Sequence, residues 1–184
     1  MKVLIVDDDR AKAKRLVPRL IEECGIVDRD ITFAYDAAQG RRELAAKYFD
    51  LLILDLLLPA DGMGDPELRH SIDILGDLVA GGNLQKPGRI LGITRDKHAF
   101  EAADPVFDDH LWHVIEVDDT SDEWIERVVN CVRYEKEVSE QDNEDNKYKC
   151  DIAVIAALAS PELEALHALE WNWKSERPLD HSTM

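Results

Sequence analysis

The sequence predicts an α/β fold, a doubly wound five-stranded parallel sheet with helices on both faces. Short apolar runs alternate five times with longer segments in which apolar residues recur every three or four positions. The first pattern is typical of buried strands and the second of amphipathic helices. Strands that alternate with helices form parallel sheets, and the right-handed crossover rule leaves few topologies.

The five predicted strands are Val3–Val6, Ile31–Tyr35, Leu51–Leu54, Ile90–Thr94 and Trp112–Val117. The first and third are uninterrupted apolar runs, as expected for strands covered on both faces. The second alternates and is rich in strand-forming residues. Together they predict the flavodoxin-like strand order 2-1-3-4-5 for a domain spanning residues 1–138.

A helical segment follows each predicted strand. The first is Arg10–Cys24, in which Pro18 is expected to introduce a kink or a local break. The second, third and fifth begin with residues typical of helix N-termini, namely Asp36 with Gln39, Asp65 with Pro66, and Thr120 with Glu123. The fourth is a short helix over residues 97–103.

The composition changes after the fifth helix. Residues 139–149 are polar and charged without periodicity, which predicts a linker. Residues 150–184 contain a strand-like run, Asp151–Leu158, followed by Ser160-Pro161-Glu162, a pattern typical of a helix start. We therefore predict a short β-α appendage after the linker.

The overall charge and the apolar pattern argue against nucleic acids and membranes as partners. The 184-residue chain has a formal charge of −17 at pH 7, which disfavours binding to nucleic acid and to anionic membranes. No apolar run approaches the ~20 residues of a membrane span, and the N-terminal residues do not form a secretory signal. We expect a cytoplasmic protein in which Cys24, Cys131 and Cys150 are reduced thiols.

Acidic residues follow two strands that the predicted order makes neighbours. Asp7 and Asp8 follow the first strand, and Asp55 follows the third. The strand order reverses between these strands, so that a crevice opens at their carboxyl ends. Three carboxylates in one crevice repel each other, and a hard divalent cation such as Mg²⁺ relieves that repulsion. Asp9 is expected to be the N-cap of the first helix.

The same arrangement suits phosphoryl transfer. A carboxylate can be a covalent nucleophile that forms an aspartyl phosphate, and the reaction requires in-line positioning and neutralisation of the equatorial oxygens. Thr94, at the end of the fourth strand, would place a hydroxyl beside the transferred group. These residues predict a chain that takes a phosphoryl group from a donor.

Three motifs occur in order along residues 1–138: Val6-Asp7-Asp8-Asp9, Leu54-Asp55-Leu56-Leu57-Leu58-Pro59 and Ile93-Thr94. In this order they resemble the receiver domains of two-component response regulators. The resemblance implies that Asp55 is the phosphoacceptor and that Asp7, Asp8, Asp55 and the backbone carbonyl of Leu57 hold Mg²⁺. It also implies that Thr94 is the switch hydroxyl that moves toward the phosphoryl group.

The resemblance further implies a role in phosphorelay signal transduction rather than as an enzyme, with at most slow self-dephosphorylation. The expected partner is a histidine kinase or a phosphotransfer protein, and a homodimer is left open. A second hypothesis is a pseudo-receiver, an interaction module that works without phosphorylation.

The sequence departs from the receiver pattern at the end of the fifth strand. Receivers normally carry a lysine there, and this chain has Val117. Loss of that lysine removes a positive charge from the phosphoryl group. Arg95, directly after Thr94, is a candidate substitute. We expect phosphorylation to persist, because the acceptor and the metal carboxylates remain.

The appendage suggests a third hypothesis. Its segments Cys150–Leu158 and Ser160–Ala165 resemble the opening strand and helix of the nucleoside phosphorylase/nucleosidase superfamily. The resemblance covers about 34 residues of the chain. It implies a regulatory fragment of a receiver–phosphorylase effector, with the nucleoside-binding portions missing. The alternative is a β-α unit that docks on the receiver or on a second copy.

Overall fold

Five parallel strands form one sheet in the order β2-β1-β3-β4-β5. The computed structural model describes the backbone of residues 1–144 and the side chains of residues 1–138. The strands are β1 (Val3–Val6), β2 (Ile31–Ala34), β3 (Leu51–Asp55), β4 (Arg89–Thr94) and β5 (His113–Glu116). The predicted flavodoxin-like fold and strand order are therefore confirmed.

Within residues 1–144, four α-helices connect the strands and a fifth follows β5, and together they cover the sheet. They are α1 (Arg10–Cys24), α2 (Ala37–Ala46), α3 (Leu68–Val79), α4 (Lys97–Asp108) and α5 (Glu123–Glu144), and a single 3₁₀ turn (Asp28–Asp30) precedes β2. Helix α1 continues through Pro18. None of the helices in residues 1–144 combines the length and the apolar character that a membrane crossing requires.

Two hydrophobic cores lie on opposite faces of the sheet. Val3 and Ile5 of β1 belong to the core that α1 and α5 cover, and Leu4 and Val6 belong to the core that α2, α3 and α4 cover. Strands β1 and β3 are buried along their whole length. This two-sided burial explains why their sequences are continuously apolar.

Several element boundaries differ from the prediction. Strands β2 to β5 differ by one residue at one or both ends, and α4 continues to Asp108, beyond the predicted residues 97–103. Helix α3 begins at Leu68 and not at Asp65, because the Glu67 N–H donates to the Leu58 carbonyl at 2.9 Å and keeps Glu67 extended. Helix α5 begins at Glu123, since Thr120 donates from its N–H and its hydroxyl to Asp118 Oδ1. Helix α5 also includes residues 139–144, which the sequence assigned to the linker.

Residues 1–144 form one compact unit. The predicted appendage, with Cys150 and the segments that resemble a nucleoside phosphorylase, lies outside the described residues. Within them, Cys24 and Cys131 are free thiols, as expected.

Candidate functional site

The parallel register of β1 and β3 brings the predicted carboxylates together. Val6 pairs with Leu54, so Asp7, directly after β1, lies beside Asp55, the last residue of β3. One carboxylate oxygen from each of Asp7, Asp8 and Asp55 lies within 4.8 Å of the others. Asp7 and Asp55 are buried, and Asp8 is exposed. The three carboxylates predicted to meet at the carboxyl ends of these strands are therefore clustered there.

Backbone N–H groups orient the two buried carboxylates. The Asp9 N–H donates to Asp7 Oδ1 at 2.8 Å, and the Leu57 N–H donates to Asp55 Oδ1 at 3.2 Å. Asp9 itself caps α1, as predicted, because its side chain accepts from the Ala11 N–H at 2.7 Å. One oxygen of each buried carboxylate is thus fixed by the turn that follows its strand.

The other oxygens face a cation that the sequence reasoning missed. Lys12, on the first turn of α1, is 3% exposed. Its Nζ lies 3.0 Å from Asp7 Oδ2 and forms a short ion pair with Asp55 Oδ2. The sequence does carry a signal for this position. Lys12 precedes Leu16, Leu20 and Cys24 at four-residue spacing, so it continues the buried stripe of α1 toward the crevice.

Burial and mutual repulsion perturb the acidity of this cluster. Burial, followed by the negative charge of Asp55, raises the pKa of Asp7 to about 7. Burial also raises the pKa of Asp55, although the charge of Lys12 acts in the opposite direction. For Lys12, burial alone would lower the pKa, but the two carboxylates outweigh it and raise the pKa. Lys12 is therefore an ammonium ion at neutral pH.

The donor set fits a hard divalent cation. Asp7 Oδ2 is fully buried and accepts no hydrogen bond among the described residues, although Lys12 Nζ is 3.0 Å away. With all three carboxylates ionised, the cluster and the Lys12 ammonium together would carry two negative charges, which one Mg²⁺ would balance. Oxygen ligands of this kind are those that Mg²⁺ prefers. Leu57 lines the same crevice, where its carbonyl is a candidate ligand.

A cavity of about 450 Å³ opens beside Asp55. Its lining includes Asp8, Lys12, Asp55, Leu57, Thr94 and Arg95. Thr94 is buried at the end of β4, one residue beyond the register partner of Asp55, and its hydroxyl accepts from the Asp96 N–H at 3.1 Å. The structure thus places the predicted acceptor and the predicted switch hydroxyl on the same cavity.

Arg95, the candidate substitute for the strand-5 lysine, and Val117, which occupies the lysine position, lie in different surroundings. Arg95 lines the cavity, but its guanidinium pairs with Asp9 and, at 2.8 Å, with Asp119. Val117 is 5% exposed and packs in the core shared by α1 and α5. Neither provides a positive charge to Asp55, and Lys12 does so instead.

Solved structures share this architecture. The phosphorylated cyanobacterial phytochrome response regulator RcpA matches with a TM-score of 0.53 and 17% identity, over 74% of this chain and 91% of its own. A Francisella response regulator 1452 receiver domain matches with a TM-score of 0.51 and 17% identity, over 75% and 98%. The chain has the receiver fold. An adenylate cyclase from Rhodopirellula baltica also matches, with a TM-score of 0.52 and 15% identity, over 80% and 98%.

At these identities the structural matches show the fold alone. No family model matches the sequence. A curated relative, the uncharacterized protein y4jS of Sinorhizobium fredii (strain NBRC 101917 / NGR234), is 33% identical over 176 residues. The match covers 92% of this chain but 42% of the relative, so the chain spans less than half of that protein. Since residues 1–144 make up less than 92% of the chain, the similarity continues beyond Glu144.

Proposed function

We propose that this chain is a cytoplasmic response-regulator receiver that accepts a phosphoryl group on Asp55 in a Mg²⁺-dependent reaction. The observation that carries the proposal is the position of Asp55. It is a buried carboxylate at the carboxyl end of a central strand, grouped with Asp7 and Asp8, and it opens onto a cavity that Thr94 also lines. A buried carboxylate cluster is costly to maintain unless cations or hydrogen bonds compensate it.

The proposed donor is a phosphohistidine of a histidine kinase or a phosphotransfer protein. A carboxylate oxygen of Asp55 attacks the phosphorus, and the P–N bond to the donor imidazole breaks. The bonding electron pair stays on the imidazole nitrogen, and Asp55 becomes an acyl phosphate. Asp7, Asp8, Asp55 and the Leu57 carbonyl would hold Mg²⁺, which when bound neutralises charge on the phosphoryl oxygens.

The protein's own groups fix the geometry of this transfer. The Leu57 N–H holds Asp55 Oδ1, which limits rotation of the carboxylate. The Asp9 N–H holds Asp7 in the same way on the neighbouring strand. Thr94 lines the cavity from the end of β4, and its hydroxyl would donate to a phosphoryl oxygen.

Incubation with Mg²⁺ and acetyl phosphate tests the proposal without knowledge of the partner kinase. Intact-mass spectrometry should show one phosphoryl adduct in the wild type. Neither Asp55→Asn nor the wild type with excess EDTA should show it. An unmodified wild type whose circular dichroism spectrum shows an intact fold would contradict the proposal.

Two observations favour a second candidate, the phosphorylation-independent interaction module. The residue directly after β5 is the apolar Val117, and the Asp55 carboxylate already pairs with the Lys12 ammonium. In that case the fold would be a rigid acidic scaffold, and phosphorylation would play no part in partner binding. The mass experiment separates the two candidates.

The relative y4jS favours a third role. Its match continues beyond the receiver fold, and the relative is more than twice as long as the matched part. A receiver joined to a larger effector would regulate that effector. The resemblance of residues 150–173 to a nucleoside phosphorylase stays a prediction, and the comparisons give it no support.

A further inference from the structure

The ion pair between Lys12 and Asp55 leads to an inference that rests on the proposed function. We propose that Lys12 is the resident cation of this site: it holds Asp7 and Asp55 together before Mg²⁺ binds, and it pairs with the phosphoryl oxygens once Asp55 is phosphorylated. Helix α1 would then supply the positive charge that the sequence lacks at Val117.

The first support is contact. Among the side chains of residues 1–138, Lys12 provides the only ion pair to Asp55. It contacts Oδ2, the oxygen that the Leu57 N–H leaves open. An ammonium that bonds to one carboxylate oxygen of Asp55 lies next to any group attached to that carboxylate. A phosphoryl group on Asp55 would therefore enter the cavity that Lys12 already lines.

The second support is that the other nearby cation, Arg95, already pairs with other carboxylates. Arg95 is held by Asp9 and Asp119 at the rim, and its side chain is 38% exposed. Lys12 is nearly fully buried, and a lysine ammonium carries its charge on a flexible four-carbon stem. Such a stem allows the ammonium to move from a carboxylate to a phosphoryl oxygen without movement of α1.

The third support is charge balance. Lys12 forms ion pairs with two of the three carboxylates that would bind Mg²⁺. The ammonium and the metal therefore draw on the same negative charge, and each weakens the binding of the other. Lys12 should thus oppose metal binding in the unphosphorylated chain and favour the phosphorylated state. A residue with a purely structural role would not have these opposite effects.

The test compares Lys12→Met with the wild type in two assays. Calorimetry on the unphosphorylated chain measures Mg²⁺ affinity, which should increase about tenfold because the competing charge is removed. Intact-mass spectrometry with acetyl phosphate measures the rate of adduct formation, which should fall about a hundredfold, as for other lost transition-state contacts. Lys14→Met, on the same helix but exposed, is the matched control and should leave both quantities unchanged.

Two further variants keep the test decisive. Lys12→Arg retains the charge and should retain most of the phosphorylation rate. If Lys12→Met is poorly folded without metal, the increase of its Tm with Mg²⁺ replaces calorimetry, and this increase should exceed that of the wild type. Addition of Val117→Lys to Lys12→Met should restore part of the phosphorylation rate.

The outcomes separate the two proposals. Wild-type metal affinity together with a wild-type phosphorylation rate in Lys12→Met would overturn the role of Lys12. A wild type that forms no adduct would contradict the proposed function alone, and the metal assay would then decide the role of Lys12 as resident cation. In that assay, tighter binding in Lys12→Met supports the role and unchanged binding overturns it.

Discussion

The ammonium of Lys12 contacts a carboxylate oxygen of Asp55 although the two residues are 43 positions apart in the sequence. The contact joins the first turn of α1 to the end of β3 at the point where the strand order reverses. It also brings a buried positive charge to the residue that we propose as the phosphoacceptor. Removal of one partner of a buried charge pair leaves the other uncompensated, so this pair affects both stability and chemistry.

Asp7 gives a prediction for the pH dependence of stability. Its pKa is about 7 in the folded chain, against an ordinary value of 3.8. Between these values the folded state binds more protons, so the free energy of unfolding should decrease as pH rises from about 4 to about 7. The slope due to this group is at most about 1.4 kcal/mol per pH unit.

Urea unfolding at several pH values in EDTA measures this slope. Asp7→Asn is the control, because the difference between its free energy of unfolding and that of the wild type isolates the contribution of Asp7. Saturating Mg²⁺ should flatten the wild-type curve. A wild-type curve parallel to that of Asp7→Asn would contradict the assignment.

Asp8 is the exposed member of the acidic cluster, and this difference from Asp7 gives a second prediction. Asp8→Asn should lower Mg²⁺ affinity roughly tenfold, because one charged ligand is lost. Its stability without metal should stay within about 0.5 kcal/mol of the wild type, as for most exposed substitutions. Calorimetry and urea unfolding on the same preparation measure the two quantities. Unchanged affinity would remove Asp8 from the metal site.

For Arg95 we predict a much smaller effect than for Lys12. Its ion pairs join Asp9, before α1, to Asp119, after β5, at the partly exposed rim of the site. Arg95→Ala should cost at most about 1 kcal/mol, since exposed ion pairs contribute little. The rate of phosphorylation by acetyl phosphate should change only a fewfold. A loss as large as that expected for Lys12→Met would identify Arg95 as the phosphoryl-binding cation.

Ser71 supports the turn after the proposed acceptor. This fully buried side chain donates from its hydroxyl to the Leu56 carbonyl at 2.7 Å, and the Leu68 carbonyl lies at 2.8 Å. Ser71→Ala should lower the free energy of unfolding by about 1–3 kcal/mol, because a buried carbonyl loses its partner. Urea unfolding measures the loss, and Ser71→Thr, which keeps the hydroxyl, separates loss of the bond from a change in packing. An unchanged stability in Ser71→Ala would contradict this role.

Much of the fold and of the acidic cluster could be predicted because both depend on local patterns. Continuous apolar runs identify buried strands, and the strand order places Asp7 beside Asp55. The start of α3 could not be predicted in this way. Asp65-Pro66 is a typical helix start, but the pairing of Glu67 with Leu58 delays the helix, and that pairing is a tertiary contact.

Lys12 was missed for a different reason. The receiver pattern predicts this cation at the end of the fifth strand, where this sequence has Val117. The structure instead supplies the charge from α1, in phase with Leu16 and Leu20. The four-residue spacing of Lys12 from Leu16 and Leu20 is visible in the sequence. A lysine at the end of such a spacing, however, is ordinarily interpreted as an exposed residue at the edge of the apolar face. Only the position of α1 above the crevice shows where the ammonium of Lys12 lies.

The measurement that tests the central claim most directly is the position of the phosphoryl group. Treatment of the phosphorylated chain with borohydride reduces an acyl phosphate to an alcohol, which converts the modified aspartate to homoserine. Peptide mass spectrometry should then find homoserine at position 55 and unchanged aspartate at positions 7 and 8. Homoserine at another position, or at none in a chain treated with Mg²⁺ and acetyl phosphate, would contradict the account.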